Sequence, residues 1–214
     1  MGGRIMKKWV GMVSLSALLL GGCTFGDSAE QQIAEVLQQM HTAEEGYRSV
    51  QSDMTSAEQE EYKLFEEILG LDQEQTDELT AKVEELQALV SKRKELLATE
   101  RASMEEALAA SDFTALDIEE TEMELASEID TAYEERFSTY DEVYANYEKL
   151  IELQENLYAE MVTEDVSIET IRELIQQVNA QNEVVQQTVE SMNAKTEEFN
   201  ATTDRVFETL KQEE

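Results

Sequence analysis

The chain has no proline, and of its eight glycines only Gly26, Gly46 and Gly70 follow Cys23. A chain so poor in both makes few tight turns, which argues against a β-rich fold and leaves no glycine-rich loop to cradle a phosphate. His41 is the single histidine. Di-iron sites in helical bundles need Glu-x-x-His on two helices, and here Gln38 stands three residues before His41. Zinc centres and Ser-His-Asp or Cys-His machinery fail for the same shortage, so neither a metal nor a cofactor is expected. Positive charge is scarce too, with 16 Lys and Arg against 49 Asp and Glu. Such a surface repels nucleic acid and anionic headgroups, which excludes nucleic acid as a partner.

The lone cysteine is placed tellingly. Arg4, Lys7 and Lys8 precede an apolar stretch from Trp9 to Leu20, and Leu20-Gly21-Gly22-Cys23 closes it. The stretch falls short of the roughly 20 residues that span a bilayer, but it suits a secretory signal. An aliphatic residue three before the cysteine, then two small ones, is the layout of a lipoprotein cleavage box. Cleavage is expected between Gly22 and Cys23, and Cys23 is the expected lipidation site, joining the chain to membrane lipid. Two acyl chains give stable anchoring without a transmembrane helix, at about 0.8 kcal/mol per buried methylene. The expected organisation is a signal peptide at 1–22, a lipidated cysteine and tether at 23–27, and a helical domain at 28–214. Removing residues 1–22 takes three of the 16 basic residues and none of the 49 acids, leaving 13 against 49, a net of −36.

The rest of the chain carries one kind of pattern. Ile33, Val36, Met40, Ala43, Tyr47, Val50, Met54 and Ala57 step three and four apart, and only Glu61 breaks the series before Leu64 and Ile68. From Ile168 to Leu210 the same spacing recurs, with Asn182, Thr196 and Thr203 as its polar members. Alternate steps of three and four are the mark of a coiled-coil-like seam. The pattern predicts helices over 28–69 (one helix, with a bend at Thr55-Ser56), 73–110, 113–162 and from about 168 onward. Asp72 or Thr76, Ser111-Asp112 and the stretch 163–167 offer the capping side chains between them. Comparable lengths joined by short loops predict an all-α, elongated, antiparallel up-and-down four-helix bundle. A three-helix coiled coil with the first helix detached or swapped into a dimer fits the same text. In the bundle, the turns near Gly70 and Asp165 lie away from the lipid.

Three surfaces stand out. Tyr133, Tyr140, Tyr144, Tyr147 and Tyr158 share a face of the third helix, suited to stacking on sugar rings or to boundary packing. Lys92, Arg93 and Lys94, with Lys82 and Arg101, gather five of the 13 mature cations on the second helix, suited to a phosphate polymer or to neighbouring glutamates. From Asp112 to Glu135 there are ten acids and no base, which reads as a solvated face because no calcium-loop spacing is present. The glutamate doublets, such as Glu84-Glu85 and Glu134-Glu135, are likewise solvated faces rather than a catalytic pair. No catalytic residue is assigned and the chain is not expected to be an enzyme. The candidate ligand surface is Tyr140, Tyr144, Tyr147, Lys92, Arg93 and Lys94.

The box ending at Cys23, the acidic helical body, the stretch from Tyr147 to Tyr158 and the polar heptads from Ile171 to Phe199 resemble the YkyA-like lipoproteins of Gram-positive bacilli, a family named for cell-wall binding. The resemblance implies a helical bundle at the outer face of the cytoplasmic membrane, associated with the wall. Two function classes follow. One is a non-catalytic module binding peptidoglycan or teichoic acid; the other is a scaffold or regulator binding an envelope protein through its coiled helices. Cys23→Ser is expected to abolish incorporation of radiolabelled palmitate and to leave the uncleaved precursor accumulating on gels.

Overall fold

A computed structural model describes residues 28–72 and 74–213; the predicted signal peptide, cleavage site and tether lie outside them. The described residues form helices α1 (Ala29–Ala43), α2 (Glu45–Leu69), α3 (Thr76–Ala110), α4 (Glu120–Met161) and α5 (Ile168–Glu213), with one 3-10 turn at Phe113–Ala115. α1 and α2 follow one another as a single kinked rod, so the fold is the predicted all-α, antiparallel, four-rod bundle. The α2–α3 and α4–α5 connections lie together at the end away from Ser28, where Phe65 and Tyr158 pack with ring centroids 6.2 Å apart.

Local chemistry sets most helix starts. Ser28 and Gln31 form a reciprocal capping box on α1, and Glu119 and Glu122 form another on α4. The Ser167 hydroxyl accepts from the Thr170 amide at 3.0 Å at the start of α5. α3 begins at Thr76 without a side-chain cap; instead the Gln75 side chain accepts from the Asp72 amide at 2.7 Å. The fourth rod of the sequence reading is right, but the third helix starts seven residues later than 113. Asp112 caps the 3-10 turn, Phe113 is drawn into the core, and the chain then runs extended under α1. There Gln32 holds it by a paired exchange with the Asp117 backbone, at 2.9 and 3.0 Å.

The bend in the first rod is at Glu44; the helix runs straight through Thr55-Ser56. Its cause is a side chain from another rod. The Ser103 hydroxyl of α3 donates to the Ala43 carbonyl at 2.5 Å and accepts from the Tyr47 amide at 2.9 Å, so it stands inside one rung of the helical ladder. The His41 carbonyl, freed nearby, accepts from the Arg48 guanidinium at 2.7 Å. An inserted side chain is one of the few physical causes of a sharp helix kink. Gly46 permits the approach, because a Cβ there would lie 2.9 Å from Ser103 Cβ.

The core divides into three stretches along the rod. One, near Ser28, joins Ile33 and Met40 of α1 to Ile129, Phe199 and Val206; a middle one joins Met104, Tyr140 and Met192; the long far one runs from Met54 and Val90 to Leu157 and Leu174. Each fully buried aliphatic contributes about 1.5–3 kcal/mol. Ser103→Ala strands a carbonyl and an amide at the kink and is expected to cost about 1–3 kcal/mol in urea unfolding. Ser56→Ala, whose hydroxyl is exposed and bonds only its own helix, is expected to stay within about 0.5 kcal/mol of the parent.

Candidate functional surface

The structure corrects the tyrosine face. Tyr133, Tyr140, Tyr147 and Tyr158 are between 0% and 6% exposed, and only Tyr144 reaches the surface, half-buried. Tyr133, Tyr140 and Tyr147 are seven apart, which places them on the bundle seam itself. Their hydroxyls do not turn out to water, and three of the four buried ones end on carboxylates of the first rod. Tyr133 donates to Glu44 at 3.0 Å, Tyr147 to Glu58 at 2.5 Å and Tyr158 to Glu61 at 2.6 Å. Arg93, also offered as a surface cation, is 2% exposed. Tyr140, Tyr147 and Arg93 therefore present nothing to a polymer outside.

These residues build polar layers across the interior. In the first, the Arg93 guanidinium donates to Glu61 at 2.7 Å, to Gln154 at 2.9 Å and to the Tyr147 hydroxyl at 2.9 Å, with Glu58 at 3.8 Å. The Gln154 amide returns to Glu61 at 2.5 Å, which closes the network across α2, α3 and α4. In the second, Arg136 of α4 grips both carboxylate oxygens of Glu44 and donates to Thr196 of α5 at 3.1 Å, while its guanidinium lies 5.4 Å from the Tyr133 ring centre. Burial depresses both guanidinium pKa values, but neighbouring carboxylates and tyrosine oxygens outweigh it, so both are held above the ordinary arginine range. Burial, aided by those carboxylates, pushes the phenols of Tyr133, Tyr147 and Tyr158 well up, so they stay protonated donors.

Between these lies a layer whose carboxylate forms no ion pair among the described residues. The Glu100 carboxyl, 7% exposed, accepts from the Gln51 amide at 2.8 Å. The Tyr140 hydroxyl faces it, wholly buried and without a well-formed hydrogen bond of its own. Burial pushes Glu100 up to about 7; the Gln51 and Tyr140 donors pull it down, and the charge of Glu58 adds to the rise.

Sequence reasoning did not assign Glu44, Glu100 or Arg136. Two signals pointed at the layers: Glu61 as the single break in the first apolar series, and Thr196 among the polar seam positions. Thr196 is buried in the Arg136 layer, whereas Asn182 and Thr203 are only half-buried. Within the acidic stretch, Glu128 pairs with Arg205 and Glu135 with Lys195 at 2.8 Å, so α5 partly neutralises it.

Of the predicted ligand residues, Lys92, Lys94 and Tyr144 stay outside, and Lys94 and Tyr144 lie along the seam between α3 and α4. Lys92 and Lys94 are exposed, and Lys94 pairs with Glu155 across the seam at 2.7 Å. Arg101 pairs with Glu105 at 2.7 Å and with Asp141, and its guanidinium lies 5.1 Å from the Tyr144 ring centre. Tyr144 donates to Glu148 at 2.8 Å. This seam offers a half-buried aromatic ring with Arg101 beside it, and its carboxylates are engaged by Lys94, Arg101 and the Tyr144 hydroxyl. Gly22 and Cys23 lie outside the described residues. No described helix is long and apolar enough to cross a membrane.

Comparisons with known proteins agree with this shape. The profile of the YkyA family, described as "Putative cell-wall binding lipoprotein", matches residues 28–209. A Bacillus subtilis (strain 168) protein named "Uncharacterized lipoprotein YkyA" is 24% identical over 203 residues, covering 93% of this chain and 91% of its own length. A solved structure, of a conserved protein of unknown function from Staphylococcus aureus, superposes with a TM-score of 0.73 at 11% identity, covering 86% of this chain and 97% of that one. That likeness bears on the fold alone.

The Glu100 layer gives a pH signature. With its pKa raised from 4.5 to about 7, the folded chain holds a proton that the unfolded chain releases. The stability this confers is complete below pH 4.5 and is lost as pH rises through 7, by about 3 kcal/mol in all. Charge repulsion on so acidic a body slopes the same way, so the difference between parent and Glu100→Gln isolates the layer. The parent is expected to lose about 3 kcal/mol more than Glu100→Gln between pH 4.5 and 8 in urea unfolding.

Proposed function

We propose, since the chain belongs to the YkyA lipoprotein family, that it is an exported, non-catalytic lipoprotein, anchored through Cys23 at the outer face of the membrane, where its rod associates with the cell wall. The observation that carries the binding part is the α3–α4 seam, where the half-buried Tyr144 ring lies beside the Arg101 guanidinium, with the exposed Lys94 further along the same seam. Its chemistry favours the glycan of peptidoglycan over teichoic acid. The C–H face of a sugar stacks on the face of an aromatic ring without needing charge. A polyanion would have to approach a body of net −36 whose seam cations, Lys94 and Arg101, are already paired with Glu155, Glu105 and Asp141. The non-catalytic assignment is supported by the seam carboxylates being engaged by Lys94, Arg101 and the Tyr144 hydroxyl.

Anchored this way, the chain would be a spacer as well as a binder. From Ser28 to the end of α2 the first rod runs roughly 60 Å, at 1.5 Å per residue, and it would carry the seam away from the bilayer toward the wall polymer.

The test is co-sedimentation of residues 24–214 with purified sacculi, stripped or unstripped of teichoic acid, across a salt series. Saturable binding that persists at about 0.15 M salt, survives stripping and weakens several-fold in Tyr144→Ala supports the reading. Binding that disappears on stripping would move the ligand to teichoic acid, and no binding in either case would refute wall association.

A further inference from the structure

Among the described residues five large apolar side chains are markedly exposed, and three of them lie at one end of the bundle. Leu69, the last residue of α2, is 62% exposed; Ile168, the first of α5, is 72%; Val162, just past α4, is 42%. The α2–α3 and α4–α5 connections that carry them are neighbours in space, joined beneath by Leu64, Ile68, Leu157 and Leu174 in one core stretch. The other two exposed residues differ: Val184 stands alone in mid-helix, and Tyr62 spends its hydroxyl on Glu66 at 2.8 Å. The core does not use Leu69 or Ile168, since Ile68 on one side and Ile171 on the other already fill it. A polar residue at either site would fold as well, so the core does not account for their aliphatic character.

The surroundings say what chemistry that is. Residues 66–78 and 160–169 hold ten acids and no lysine or arginine. Lys82 on Glu67 and Arg172 on Glu169, both at 2.8 Å, reach this end from outside those segments, and the charge of Lys63 also acts on Glu67. Ten acids against three cations leave this end strongly negative, so it repels an anionic bilayer and a phosphate polymer alike. It complements a segment that is itself apolar on one face and cationic at its rim.

We infer that this end of the bundle is a docking surface for a basic amphipathic segment of another protein, its aliphatic side chains on Leu69, Val162 and Ile168 and its lysines or arginines on the flanking carboxylates. This goes beyond wall association and uses a different part of the molecule from the α3–α4 seam. The occupant is reached at the far end of the rod from Ser28, so the partner would be engaged well clear of the lipid anchor.

The probe is a fluorescent amphipathic peptide of leucine and lysine, about 18 residues or five helical turns long, titrated by anisotropy into the full-length mature lipoprotein in neutral detergent. An acidic body attracts such a peptide everywhere, so the comparison between variants is decisive. Leu69→Ser with Ile168→Ser, both at exposed positions, is expected to weaken binding at least tenfold, with much of the residual affinity lost by 0.5 M salt screening, roughly the range where exposed charges no longer act at a distance. Val184→Ser is expected to leave binding unchanged, and the double variant is expected to sediment with sacculi as the parent does. Equal binding by all variants, or equal loss in Val184→Ser, would overturn the inference. So would concentration-dependent dimerisation abolished by the double variant, which would make the occupant a second copy of this chain. Loss of sacculus binding in the double variant would also overturn it, by giving this end to the wall.

Discussion

The pairing of Arg93 with Glu61, and of Arg136 with Glu44, is the constraint on which the rest of this bundle depends. Four rods with apolar seams at heptad spacing pack almost equally well after a slip of one heptad. A buried guanidinium does not tolerate that slip, because an unpaired charge in the interior costs several kcal/mol. Arg93 ties α3 to Glu61 of α2 and Gln154 of α4, and Arg136 ties α4 to Glu44 of the kink and Thr196 of α5. Between them the two arginines reach every rod. Register, rod order and the inward turn of the tyrosines follow from these two layers.

The same economy shapes the surface. Ten of the 13 cations beyond Cys23 lie within ion-pair distance of a carboxylate, among them both buried arginines. Individually the exposed pairs add little, about 0–1 kcal/mol. Collectively they leave few cations free for an outside polyanion. On the proposed reading, recognition falls to the places where apolar or aromatic surface emerges: Tyr144 at the seam and the aliphatics at the far end. A body this acidic also stays soluble and resists association with its own copies.

Much of the fold was legible because its signals are local. Three-and-four spacing, the absence of proline and the capping side chains in the stretch 163–167 need no knowledge of partners. What escaped depends on other rods. The bend at Glu44 is made by Ser103, 59 residues further along the chain, whereas the Thr55-Ser56 pair that suggested a bend lies in unbroken helix. The tyrosines were visible as a face, and their seven-residue steps marked that face as the seam. Reading it as solvent-facing rested on hydroxyls needing water, but the carboxylates of the first rod take water's place. Glu61 was visible as a flaw in its apolar series, yet its partner, Arg93, read as one of three surface cations because Lys92 and Lys94 flank it. Adjacent residues on a helix face different ways, and the middle one points inward.

A double-mutant cycle on Arg93→Met and Glu61→Leu, followed by urea unfolding, tests that dependence most directly. If the layer holds the register, each single change leaves a buried partner uncompensated and costs about 3–5 kcal/mol. The pair together then costs far less than the sum, with a coupling of at least about 2 kcal/mol. Costs that add to within about 0.5 kcal/mol would contradict it, since Arg93 and Glu61 would then act as independent side chains that happen to lie side by side.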